Sequence, residues 1–141
     1  MISPEIQGES PSVIELRMPS KAEWVRVARL AIAGIASRLN FTIEEVEDLK
    51  LAVAEAYTNC IQHAAESDDV RILCEVLPDR LTITVEDHGK GFDGRPAAAA
   101  VEEPKVGGLG VFLIRSLMDE VSYAVDPAAG TRLTMVKHLR K

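Results

Sequence analysis

Cysteine is scarce: the 141 residues hold two, Cys60 and Cys74, and they do not form a C-x-x-C pair. Two thiols make neither a disulfide framework nor a zinc site, and a reduced, cytoplasmic setting is the simplest reading. Long apolar runs are missing as well. The longest, Leu30 to Ala36, lies between Arg29 and Ser37-Arg38, far short of the ~20 residues that span a membrane. No charged stretch followed by an apolar core opens the chain, which predicts no secretory leader. Positive charge is outnumbered, with 16 Lys and Arg against 22 Asp and Glu, for a formal charge of −6. Broad nucleic-acid binding needs a basic stripe, so that balance argues against it. Signatures of two large enzyme groups are also absent. There is no G-x-S-x-G elbow, and His63, His88 and His138 have no nearby nucleophile of the expected kind. No G-x-x-x-x-G-K-[ST] phosphate loop occurs either.

What remains is the composition of a globular protein, 47% hydrophobic and 27% charged. The length favours one domain, since domains hold roughly 100–200 residues, and leaves no room for a second catalytic one. Residues 1–12, rich in Ser, Pro and Gly, read as a flexible tail, with the folded domain over 13–141. Val13 to Met18 alternates, putting Ile14, Leu16 and Met18 on one side of a strand. Ser20-x-x-Glu23 then has the form of a capping box, followed by Trp24, Val27, Ala28, Ala31 and Ile35 at helical spacing. Thr42-x-x-Glu45 repeats that signal and opens a second helix running to about Ala64. Val70 to Val76 and Leu81 to Val85 alternate around Pro78-Asp79, as a β-hairpin does. A third helix is expected over Leu109 to Asp119, and a second hairpin over Val121 to Val125 and Arg132 to Leu139. The order β-α-α-β-β-α-β-β predicts an α+β sandwich, with helices on one face of a mixed, mostly antiparallel sheet.

Four places could carry chemistry. Glu55 and Asn59 lie about 40° apart on one face of the second helix, nearly opposite Val53. That face is either a solvated polar surface or a carboxylate that takes a proton beside an amide oxygen that holds a metal. Asp87-His88-Gly89-Lys90-Gly91-Phe92 follows an alternating strand. Gly89, Gly91 and Gly94 match G-x-G-x-x-G, but a hairpin feeds the strand and Arg95-Pro96 follows, so no Rossmann crossover fits. The stretch is either a glycine-rich turn or a site where Asp87 accepts from a base amino group while the glycines let backbone pass close to the ring. Gly107-Gly108-Leu109-Gly110 runs into a helix start, which is either a hinge or a phosphate-binding N-terminus. The aperiodic stretch between the glycine clusters exceeds about 12–15 residues, which makes a lid the obvious candidate. Gly130-Thr131 starts the last strand, and His63 is two turns beyond Glu55 and could face the same pocket.

In that order, Glu55-x-x-x-Asn59-x-x-x-His63, Asp87-x-Gly89-x-Gly91-Phe92, Gly107-Gly108-Leu109-Gly110 and Gly130-Thr131 resemble the N, G1, G2 and G3 boxes of the GHKL (Bergerat-fold) ATPases. The run from Gly107 to Val121 looks like the anti-sigma-factor serine kinases of the RsbW and SpoIIAB type. The resemblance spans Val13 to Leu139 and implies a histidine-kinase-like ATP-binding domain. It implies that Asn59 ligates Mg²⁺ and that Glu55 is the general base for a serine hydroxyl. Asp87 would bind the adenine amino group with Thr131 supporting it through water. His63, Gly89, Gly91, Phe92, Gly107, Gly108, Leu109, Gly110 and Val111 would complete the ATP site, with a lid over 93–106. Tyr57 is bulkier than the small residue usual in this box and is expected to face the core. The implied function is sequestration of a sigma factor together with ATP-dependent phosphorylation of an anti-anti-sigma (STAS) protein, by a cytoplasmic homodimer that touches neither nucleic acid nor membrane. The alternatives are a switch-type kinase, or a non-catalytic ATP-binding module, acting on a phosphatase or sensor scaffold.

Overall fold

The computed structural model describes residues 12–63, 69–87, 108–126 and 130–139. Along the chain come β1 (Ser12–Pro19), a short 3₁₀ turn (Ala22–Trp24), α1 (Val25–Ala36), α2 (Ile43–His63), β2 (Asp69–Leu77), β3 (Arg80–Asp87), α3 (Gly108–Leu117), β4 (Glu120–Asp126) and β5 (Gly130–His138). The strands form one sheet in the order β1-β2-β3-β5-β4, and all four pairings are antiparallel. The expected α+β sandwich is therefore present. Ser12, expected in the tail, instead pairs with Val76 in the sheet; residues 1–11 and the expected lid lie outside the described residues.

Strand alternation decides which side chains form the core. Val70, Ile72 and Cys74 on β2, Leu81, Ile83 and Val85 on β3, and Leu133 and Met135 on β5 are all buried. Against them lies α2, which buries Leu49, Ala52, Val53, Ala56, Tyr57 and Cys60, with α1 and α3 on either side of it. Tyr57 does face the core, and its hydroxyl donates to the carbonyl of Pro19. On the other face of the sheet the register sets Arg71 and Arg132 opposite Glu86. Their guanidinium groups lie 2.7 and 2.8 Å from a carboxylate that is almost fully buried. A buried carboxylate is costly unless paired, so this three-strand ladder fixes register as well as charge.

Two local expectations change. Neither the 3₁₀ turn nor α1 starts with a side-chain cap, so Ser20 and Glu23 form no capping box. Backbone bonds shape that corner instead, Lys21 N–H to the Pro19 carbonyl and Trp24 N–H to the Lys21 carbonyl. The buried stripe of α1 is Ala28, Ile32 and Ala36, while Trp24 and Val27 are exposed. α1 is apolar on more than one face, so its periodicity alone did not single out the one that meets α2. The second capping box does form: Glu45 N–H donates to Thr42 Oγ1 at 3.0 Å and Thr42 N–H to Glu45 Oε1 at 2.8 Å. Thr42→Ala should therefore cost about 1 kcal/mol in denaturant unfolding; an unchanged midpoint would show that the box does not hold the start of α2.

Candidate active site at the crossing of two helices

Glu55 and Asn59 stand one turn apart on α2, on the side that α3 covers. That cover removes the solvated-face alternative: Asn59 is only 4% exposed, and Glu55 is half-buried. The first turn of α3 crosses them at Gly110. A Cβ built on Gly110 would stand 3.1 Å from Glu55 Oε1 and 3.8 Å from Asn59 Nδ2. The missing side chain is thus what lets the carboxylate lie against the helix start. Gly108, Leu109, Gly110 and Val111 form that first turn, whose N–H groups have no intrahelical partners and carry the positive end of the dipole. Val111 is buried and anchors the turn to the core.

The same face of the sheet supplies the other end of the site. Asp87 shares the parity of Leu81, Ile83 and Val85, so it points toward the helices and is fully buried. Its Oδ2 accepts the Thr131 backbone N–H at 3.1 Å. Between the two ends stands Tyr123 of β4, whose hydroxyl donates to Asn59 Oδ1 at 2.8 Å. Burial pushes the Tyr123 phenol up to about 12, with Cys60 and Asp87 adding to it. Cys60, next to Asn59 in sequence, is raised well above the usual thiol range by burial, then by Asp87 and Glu86. It stays a neutral packing residue.

Glu55, Asn59 and Gly110 are therefore brought together, and Asp87 and Thr131 form a second pair. His63 ends α2, and its side chain lies outside the described residues, as do Gly89, Gly91, Phe92 and Gly107. Tyr123 was missed by sequence reasoning. Its only signal is its place at a helix-facing position of an alternating strand. Among the described residues no three His, Cys, Asp or Glu side chains cluster as a metal site. A cation held through Asn59 would therefore complete its shell with water and phosphate, as Mg²⁺ does at nucleotide sites.

The sequence profile of the histidine kinase-like ATPase domain matches residues 18–137. The chain belongs to that family. It is also similar to proteins named serine-protein kinase RsbW. The relative from Bacillus pumilus (strain SAFR-032) is 39% identical, covering 95% of this chain and 90% of the relative. That of Bacillus subtilis (strain 168) is 39% identical over 89% and 85%, and that of Staphylococcus aureus 36% over 91% and 87%. In this histidine kinase-like ATPase no described helix is long and apolar enough to cross a membrane.

The chain's two tyrosines give the site's burial a direct readout. Burial raises Tyr57, like Tyr123, from 10 to about 12, with Cys60 adding to it. The fold thus favours both neutral phenols. Their contribution to stability is intact below pH 10 and is lost as pH rises from 10 toward 12. Absorbance at 295 nm should show little tyrosinate in the folded chain at pH 10, and stability to urea should fall between pH 10 and 12. Half-ionised tyrosines at pH 10 in the folded chain would contradict this packing.

Proposed function

We propose that this chain is an ATP-dependent serine protein kinase and anti-sigma factor of the partner-switching kind. It sequesters a sigma factor and phosphorylates a serine of an anti-anti-sigma (STAS) protein. The observation that carries the reading is the Glu55 carboxylate lodged against Gly110, one turn from the buried Asn59 amide and at the start of α3. Phosphoryl transfer is mainly positioning plus neutralisation of charge, so a carboxylate, a metal-holding amide and a helix N-terminus are a sufficient set of protein groups. The donor set fits Mg²⁺ and ATP: a neutral amide oxygen, a carboxylate and backbone N–H groups, with a glycine where a Cβ would crowd the carboxylate.

In this reading Asn59 Oδ1 holds Mg²⁺, and Gly107, Gly108, Leu109 and Gly110 offer backbone N–H groups to phosphate oxygens. Bound ATP and Mg²⁺ supply the transferable phosphoryl group and the charge that neutralises it. Glu55 accepts the proton of the attacking serine hydroxyl. Asp87 accepts from the adenine amino group, and the Thr131 N–H keeps its carboxylate oriented. The resemblance would further assign Gly89, Gly91 and Phe92 to the base, the His63 side chain to the border of the site and residues 93–106 to a lid, all outside the described residues.

A homodimer in the cytoplasm belongs to the same proposal. β1 is an edge strand, and exposed edges pair readily with another chain. Beside it Ile14, Leu30, Gly34, Ile35 and Val76 line an apolar groove of about 560 Å³. Leu30 is 65% exposed and Ile14 36%, an apolar surface that a second copy of the chain would cover. Leu30→Glu should then sediment as a monomer where the unchanged chain sediments as a dimer; a monomeric unchanged chain would remove this part.

The kinase reading is tested with labelled ATP, Mg²⁺ and small STAS proteins from the same genome. The unchanged chain should label a serine, and Glu55→Gln should label it about 10²–10⁴-fold more slowly while still binding ATP. Labelling by Glu55→Gln at the unchanged rate would overturn the assignment of the base. ATP binding with no labelled serine would leave a non-catalytic module.

A further inference from the structure

We infer that Tyr123 is a positioning residue for Asn59, its phenol holding the amide in the orientation that ligates the divalent cation. This rests on the ATP and Mg²⁺ reading above. Rotation about the last side-chain bond of asparagine is soft and roughly two-fold, so an amide alone does not settle which end faces a ligand. A cation needs the oxygen end, and an NH₂ group turned toward it would repel it. Here the oxygen end has a defined partner: the Tyr123 hydroxyl lies 2.8 Å from Asn59 Oδ1, in surroundings where both residues are buried. A carbonyl oxygen has two lone pairs, so the phenol takes one and leaves the other for the metal. The amide nitrogen meanwhile lies toward the Gly110 crossing, 3.8 Å from the Cβ position there.

Tyr123 is suited to this task by its setting. It sits opposite Leu133 on β4 with its ring against the core. Its hydroxyl carries the O–H that the amide oxygen accepts. The hydroxyl of Tyr57, the other tyrosine, donates to a backbone carbonyl at the β1 end, so it serves as an internal control. Partners that orient metal ligands typically matter by 10–100-fold, through the metal rather than through folding.

Calorimetric titration of ATP, with Mg²⁺ and again with EDTA, on the unchanged chain, Tyr123→Phe and Tyr57→Phe tests this directly. The affinity gain from Mg²⁺ should shrink by about 10-fold or more in Tyr123→Phe, with EDTA-state affinity kept. Tyr57→Phe should melt earlier yet keep the full gain. An undiminished or larger gain in Tyr123→Phe would overturn the inference, as would equal losses with and without Mg²⁺. Should Tyr123→Phe fail to fold, 3-fluorotyrosine gives the unchanged sequence two ¹⁹F signals. Adding Mg²⁺ to the ATP-loaded protein should shift the Tyr123 signal and not that of Tyr57; no shift at Tyr123 would overturn the inference. If the unchanged chain itself gains nothing from Mg²⁺, the ATP-site reading fails and this inference falls with it. A gain equal in the unchanged chain and Tyr123→Phe sinks the Tyr123 role alone.

Discussion

The approach of α3 to α2 at Gly110 is the constraint on which the site depends. With no side chain there, Glu55 Oε1 lies where even a methyl group would be only 3.1 Å away. A carboxylate in that position stands at the positive end of a helix dipole and beside a buried amide. The rest of the fold holds the two helices in that relation. Val111 and Ile114 tie α3 to the core from its first turns. At its other end Lys137 Nζ donates to the Leu117 carbonyl at 2.6 Å and lies 3.7 Å from Asp48 of α2. A cation at a helix C-terminus satisfies an otherwise unpaired carbonyl and complements the dipole. α3 is therefore fixed at both ends, and its N-terminus can serve the site without drifting.

Adjacent acidic residues on β3 show how the sheet divides structure from chemistry. Glu86 points away from the helices and is neutralised by Arg71 and Arg132 in the neighbouring strands. Asp87, one residue on, points toward the helices and meets the Thr131 N–H. Strand parity alone separates the two roles. One carboxylate locks the register of three strands, and that register in turn brings Thr131 to the second. Tyr123 extends the same arrangement from β4 to α2, so a side chain from the edge of the sheet reaches the amide at the helix crossing.

Most of the architecture was legible in the sequence because its signals are local. Alternation marked the first three strands, the last two were expected as a hairpin, and Thr42 with Glu45 marked the start of α2. Where several local signals competed, reading failed. Ser20 and Glu23 have capping-box spacing, yet the chain leaves β1 through a backbone-bonded turn whose Pro19 carbonyl is held by Tyr57. The face of α1 could not be read because apolar residues surround much of that helix. At the site, Glu55, Asn59, Asp87 and Thr131 could be picked out by residue type and spacing. Their grouping came from the family resemblance and not from local pattern, since the burial of Asn59 comes from a helix that begins nearly fifty residues later. Tyr123 carries no motif at all, and only the pairing of β4 with β5 brings it to Asn59.

The central claim is that a nucleotide's divalent cation is held at the Asn59 amide oxygen, beside the crossing of α2 and α3. Amide NMR spectra of the ATP-loaded chain, recorded with Mg²⁺ and then with paramagnetic Mn²⁺, test it most directly. Broadening should centre on Asn59 and Gly110 and fade toward Ile14 and Leu30 in the apolar groove. Broadening centred on that groove, or spread evenly over the chain, would contradict the account.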